Sequence, residues 1–340
     1  MYQLKQLPED FVVKEVSNVV IKPNGKYLYF KLNKRDYNTL TALTHIAKKL
    51  NLPEKQFGFA GNKDKQAITE QVCSVQGTTK EKLLSVNLND ISIEFLGYGD
   101  APIALGDLTG NKFEIVLRNL EQEKVNLIHY FPNYFDEQRF SQSNVERGEA
   151  LVRKDFKTAV ELEHSKESKQ HLSKIPTDYV GALKQVPMRL LRLYVNSYQS
   201  YLWNETLARY LCQKGKVVKE EAYSQGKFVF VEKAEQFSEL KIPIIGFDAE
   251  ELETDAEIKK IIIEIMQQER LDYFDFIIKQ IPQLTLEGEL RKAFAEVKEL
   301  VVGKAEKDEL NAKKSKIKVS FRLGKGSYAT MAIRAMVKIT

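Results

Sequence analysis

The sequence predicts an α+β fold, with one mainly antiparallel or mixed sheet and helices packed on one face. Three observations lead there. Strand-like runs outnumber helical ones in the first 120 residues. They are joined both by short turns and by helical stretches, which suits α+β better than a regular βαβ array. A strand pattern also returns near the end of the chain, at 317–323, after a long helix-rich middle.

In order, 11–16 and 26–32 read as strands joined by a Pro23-Asn24-Gly25 turn. Leu40, Leu43, Ile46, Ala47 and Leu50 recur at helical spacing, and Asn51-Leu52-Pro53 ends that helix. Phe57-Gly58-Phe59 reads as a short strand that breaks at Gly61, where a positive φ would let the chain turn sharply. Strands are expected near 72–76, 91–98 and 112–118, with short helices around 79–86 and 122–131. Residues 144–163 read as one or two helices, and 164–174 as a polar stretch. Val186-Pro187 opens the longest helical pattern, to about Lys214, with Leu190, Leu191, Tyr194, Tyr198, Tyr201, Leu202 and Leu207 on its apolar face. Short strands and charged helices such as 255–269 fill the chain to about 300. A charged connector, 304–314, leads to the strand at 317–323 and a last helix, for which Ser327 is the expected N-cap.

Composition narrows the function classes. At 340 residues the chain has room for two domains, or for one with a large insertion. No run approaches the length of a membrane span, and the N-terminus shows no apolar signal region. Cys73 and Cys212 lie in ordinary apolar contexts and read as reduced core residues of a cytoplasmic protein. A net charge of +5 is only mildly basic, so binding to nucleic acid would need that charge gathered on one face. The candidate groups are Lys48/Lys49, Lys63/Lys65, Arg189/Arg192, Lys214/Lys216/Lys219 and the lysines of 313–318. No dinucleotide-binding glycine fingerprint, Walker loop or His/Cys cluster is present, so no cofactor and no metal is expected.

The stretch that carries chemistry is Gly61-Asn62-Lys63-Asp64-Lys65-Gln66-Ala67-Ile68-Thr69-Glu70-Gln71. It sets one carboxylate between two lysines, which favour its ionised form. A carboxylate of that kind can serve as nucleophile or base. The full string Gly-x-Lys-Asp-x-x-Ala-x-Thr-x-Gln resembles the catalytic motif of the TruD family of RNA pseudouridine synthases. Further blocks agree with the family and in its order. They are Lys5-x-x-Pro8-Glu9-Asp10-Phe11, the stretch 106–118, Asn133-x-Phe135 with Gln138-Arg139-Phe140, and Gly324-x-Gly326-Ser327-Tyr328-Ala329-Thr330. The middle of the long helix, 196–204, resembles the archaeal and eukaryotic branch. Two positions depart from the family: Ser141 stands where it has Gly, and Ala335 where it often has Glu.

The resemblance implies a catalytic domain of 1–155 with 305–340, and an α/β insertion domain of 156–304. It implies a cytoplasmic, monomeric enzyme that isomerises a uridine of tRNA, at position 13 or else 35. Asp64 would be the catalytic carboxylate and Lys5 its charge partner. Phe135 would be the stacking ring, and Asn133 would hold the Asp64 loop or the base. Lys63, Lys65, Arg139, Arg189 and Arg192 are the candidates for RNA contact. The rearrangement oxidises nothing and adds no group, consistent with the absence of cofactor signatures. The target nucleotide would have to be flipped into an enclosed pocket. Two other readings stand beside this one: a non-catalytic RNA-binding or RNA-folding protein on the same scaffold, and a small-molecule enzyme with an aspartate nucleophile.

Overall fold

The computed structural model describes residues 2–121 and 124–338. The chain forms two compact units, Met1–His129 with Glu296–Thr340, and Tyr130–Ala295. These boundaries fall before the expected 155/156 and 304/305 divisions. The segment after 130 belongs with the second unit because its helix Asn144–Val152 packs tightly on the long helix Met188–Lys214. A Cβ added at Gly148 would sit 2.1 Å from the Tyr194 carbonyl, so only glycine permits that approach.

The first unit is built on a mixed sheet. Its strands are β1 (Phe11–Val16), β2 (Tyr27–Arg35), β3 (Phe57–Phe59), β4 (Ile68–Val75), β5 (Ile91–Gly99) and β6 (Gly110–Leu120). The chain returns to this sheet as β7 (Phe294–Val302) and β8 (Ser315–Gly324). The order runs β5-β2-β4-β1-β6-β8-β7, and β3 lies off this path, paired with β4. β1 and β4 run parallel, whereas the β2/β4, β2/β5, β1/β6 and β6/β8 pairs are antiparallel. Strand alternation turns Leu28, Phe30 and Leu32 of β2 toward helix α1 (Thr39–Leu50), where they meet Ala42, Leu43 and Ile46 in one buried cluster. Asn38 caps α1 by accepting from the Leu40 N–H at 2.9 Å, and Asn51 closes it in the left-handed region at φ 56°.

Several local expectations are corrected. The stretch 122–131 is not a helix: 122–123 lie outside the described residues, and the chain beyond them holds the short strands Lys124–Val125 and Tyr130–Pro132. Gly61 does not take a positive φ. The last helix, Ala329–Met336, has Tyr328 as its N-cap residue instead of Ser327. The charged connector is also tied down at one point. Its Asp308 is buried and accepts from Nη1 of Arg118 at 3.0 Å, and that same guanidinium donates to buried Asp10 at 2.9 Å.

The second unit is arranged around helix α2 (Met188–Lys214), which buries far more than one stripe. Trp203 is fully buried and donates its indole N–H to the Ile242 carbonyl at 3.1 Å. Cys212, by contrast, is exposed and is not a core residue. Two small antiparallel pairs complete the unit: Val217–Tyr223 with Gly226–Val231, and Lys241–Ile244 with Glu289–Lys292. The polar stretch after 164 folds as helix Lys166–Lys174. Its cap is Ser165, whose hydroxyl accepts from the Ser168 N–H. Among the described residues no helix is long and apolar enough to cross a membrane.

Candidate active site

Asp64 lies on the loop between β3 and β4, and the loop is held from beneath by side chains. Gln71 of β4 donates its amide to the Gly61 carbonyl at 3.1 Å. Thr39, at the start of α1, donates its hydroxyl to Gln71 at 2.9 Å and accepts the Lys63 N–H at 3.0 Å. Lys34 of β2 donates its ammonium to the Asp64 carbonyl at 2.8 Å. All three side chains are buried, and buried polar bonds fix a loop more firmly than exposed ones. Gly58 lets the entering strand come close: a Cβ there would lie 2.4 Å from the Ile103 carbonyl and 2.5 Å from the Ser74 hydroxyl.

Lys5 approaches from the N-terminal segment. Before it, Gln3 and Arg118 exchange two backbone bonds at 2.9 and 3.0 Å. After it, Leu7 donates its N–H to Asp10, which is itself fixed by Arg118. Between these anchors Lys5 adopts φ 57°, a conformation uncommon outside glycine. Its ammonium lies 3.3 Å from Asp64 Oδ1 and 4.2 Å from the centre of the Phe11 ring. The Asp64 side chain remains about one-third exposed, so an incoming group can reach it.

The two lysines flanking Asp64 part company. Lys65 is exposed and accessible to a phosphate. Lys63 is not: its side chain is buried, and its ammonium sits 2.6 Å from Glu15 Oε2. The expectation that Lys63 contacts RNA is therefore corrected, because moving it outward would strip a buried carboxylate of its partner.

In the second unit, Asn133 and Phe135 are buried on the segment just after Tyr130–Pro132. The amide of Asn133 donates to the Lys292 carbonyl at 3.3 Å, while its Oδ1 is buried with no hydrogen-bond partner among the described residues. Phe135 is clamped by Asn204 of α2, which accepts the Phe135 N–H and donates to the Phe135 carbonyl, both at 2.9 Å. The Arg291 guanidinium lies 4.2 Å from the centre of the Phe135 ring, and the Trp203 ring packs edge-on at 5.6 Å. Phe135 lines a cavity of about 440 Å³ together with Arg139, Gln199, Glu287 and Arg291. Arg139 donates to the Ser200 hydroxyl at 3.3 Å. Arg189 and Arg192 are exposed on α2, where Arg192 donates to the Gln283 carbonyl at 3.2 Å. The lysines at and beyond the end of α2 are matched by glutamates: Lys214 by Glu257, Lys216 by Glu232 and Lys219 by Glu221.

A comparison with known families decides what this arrangement belongs to. The sequence model of tRNA pseudouridine synthase D (TruD) matches residues 2–170 and 161–336. The Methanococcus maripaludis protein named probable tRNA pseudouridine synthase D 1 is 30% identical over 99% of this chain and 100% of its own length. The chain belongs to the TruD family. The tRNA pseudouridine synthase D of Aquifex aeolicus is 29% identical, over 98% of this chain and 97% of its own. A crystal structure of a Methanosarcina mazei protein described as a putative TruD superposes with a TM-score of 0.71 at 26% identity, covering 100% of this chain and 94% of that one. As a TruD protein the chain is a pseudouridine synthase, an isomerase.

Sequence reasoning missed the supporting residues of this TruD site. Thr39 and Lys34 stand 25 and 30 positions before Asp64, and neither carries a motif of its own. Lys34 did leave a signal, because it continues the inward row Leu28, Phe30, Leu32 of β2, where an apolar residue is the rule. Asn204 lies in the 196–204 block, but that resemblance does not say which backbone its side chain holds, 69 residues away; Arg291 left no signal, its Asn133 partner being 158 residues away.

Proposed function

We propose that the chain converts a uridine of tRNA to pseudouridine, with Asp64 as the reacting carboxylate. The supporting observation is the Lys5–Asp64 pair at 3.3 Å, set on a loop whose backbone is bonded by Thr39, Gln71 and Lys34. The reaction breaks the bond between C1′ of the ribose and N1 of uracil and forms one between C1′ and C5. A proton leaves C5 and one is gained at N1, so atoms and electrons balance without an oxidant. A fixed carboxylate can carry the covalent or proton-transfer part, and the neighbouring Lys5 ammonium, 3.3 Å away, helps to aim it.

In this reading Phe135 stacks on the detached uracil, and Asn133 offers Oδ1, unpartnered among the described residues, to the base. Arg139 contacts RNA from the cavity that Phe135 lines. Lys65, Arg189 and Arg192 meet phosphates, and the insertion domain serves to hold the RNA. Position 13 of tRNA is the target drawn from the resemblance, with position 35 the alternative; the enzyme acts as a cytoplasmic monomer. The test is to map pseudouridine in tRNA from cells with and without this protein. Loss of one modified position, restored by the purified protein, supports the reading. Identical maps would refute it.

A further inference from the structure

Lys34 spends a buried charge on the active-site loop. It is 2% exposed and continues the core-facing row of β2, a place where an ammonium is costly. Neither of its acceptors is a carboxylate. It donates to the backbone carbonyls of Tyr37 and Asp64. A purely structural residue in this row would be leucine or methionine, which need no partner. We propose that Lys34 is a positioning residue for pseudouridine formation: its ammonium fixes the Asp64 carbonyl, and through it the aim of the Asp64 carboxylate. This rests on the reading of Asp64 as the reacting group.

The surroundings give the device a pH signature. Burial pushes the Lys34 pKa down to about 8; Asp64 and Asp36 favour its charge, and Lys63 opposes it. Lys63 is in turn matched by Glu15. As pH rises through about 8, the two bonds to carbonyls cease to be charge-assisted and weaken. The wild type therefore holds this contribution below that pH and loses it above. A variant with methionine never has it, and a variant with arginine keeps a charge throughout.

The experiment measures single-turnover pseudouridine formation on a tRNA transcript, from about pH 6.5 to about pH 9.5. The enzymes are the wild type, Lys34→Met, Lys34→Arg and Asp64→Asn. Taking ratios to the wild type removes titration of the substrate itself. At the acidic end Lys34→Met should be slower by about 10- to 100-fold, the cost of a small misplacement of a reacting group, with tRNA affinity unchanged. That deficit should shrink toward the alkaline end. The ratio of Lys34→Arg to wild type should rise over the same interval, so a failure of the methionine variant to fold leaves the test intact. Ratios independent of pH in every folded variant, or a Lys34→Met rate equal to wild type, would overturn the proposal. If Asp64→Asn is inactive while Lys34→Met is normal, Lys34 alone is misassigned. If Asp64→Asn turns over normally, the Asp64 reading falls and takes this one with it.

Discussion

Lys63 turns its back on Asp64, its neighbour in sequence, and pairs with Glu15 at 2.6 Å inside the first unit. Both side chains are at least 95% buried, so the pair works as structure and not as a surface charge. Removing one partner leaves a buried ion uncompensated, at a cost of about 3–5 kcal/mol. Lys63→Met should lower stability by that order in a denaturant titration. The double variant Lys63→Met/Glu15→Leu should recover most of it. Neither should change the salt dependence of tRNA binding, and a flatter slope in the folded double variant would return Lys63 to the RNA surface.

That pair shows where sequence reasoning reached and where it stopped. Asp64 was legible because a long string of spaced residues surrounds it, and Lys5 because its own block precedes it in family order. The same string gave no direction to Lys63, since a list of residues does not say which side chains point inward. The strand expected over 26–32 runs on to Arg35, and Lys34 lies in the added part, on the inward row where an apolar residue is the rule. The helix expected over 122–131 failed because those residues carry mixed apolar spacing, and the part described instead pairs as short strands. The helix Lys166–Lys174 was missed for the opposite reason. It is almost wholly polar, with Ser168 its one buried residue, so it has no apolar stripe to betray it.

The Arg118 cluster should govern acid stability of the first unit. Arg118 donates to Asp10, Asp308 and Glu309 at 2.9–3.0 Å. Hydrogen bonds from Arg118 and Lys316 lower the Glu309 pKa to about 2. For Asp308 burial pushes upward, but bonds from Asn119, Asn311, Leu310 and Arg118 outweigh it and the net shift is downward. Carboxyls with depressed folded pKa values add stability above their unfolded pKa and lose it as pH falls toward the folded one. Wild-type stability should therefore fall as pH drops from about 4.5 toward about 2. Arg118→Met should be less stable at neutral pH and show a shallower fall across that interval. Equal slopes in the two proteins would contradict this account.

Arg189 and Arg192 are the exposed cations of α2 that carry the proposed phosphate contacts. Replacing both by alanine should weaken tRNA binding and reduce the slope of log K against log salt by about 0.7–0.9 for each phosphate released. Replacing Lys214, Lys216 and Lys219 should do less, because each is already beside a glutamate. Affinity measured at several salt concentrations separates the two sets. The reverse order of effects would place the RNA on the lysine side.

The central claim is that the Asp64 carboxylate does the chemistry, and the most direct measurement is single-turnover conversion of bound tRNA by Asp64→Asn. The substitution keeps the size of the side chain and removes its charge, leaving the Lys34 bond to the Asp64 backbone in place. The account predicts a rate lowered by about 10⁴-fold or more, as for loss of a principal catalytic group, with tRNA affinity nearly unchanged. Turnover at the wild-type rate by a folded Asp64→Asn protein would contradict it.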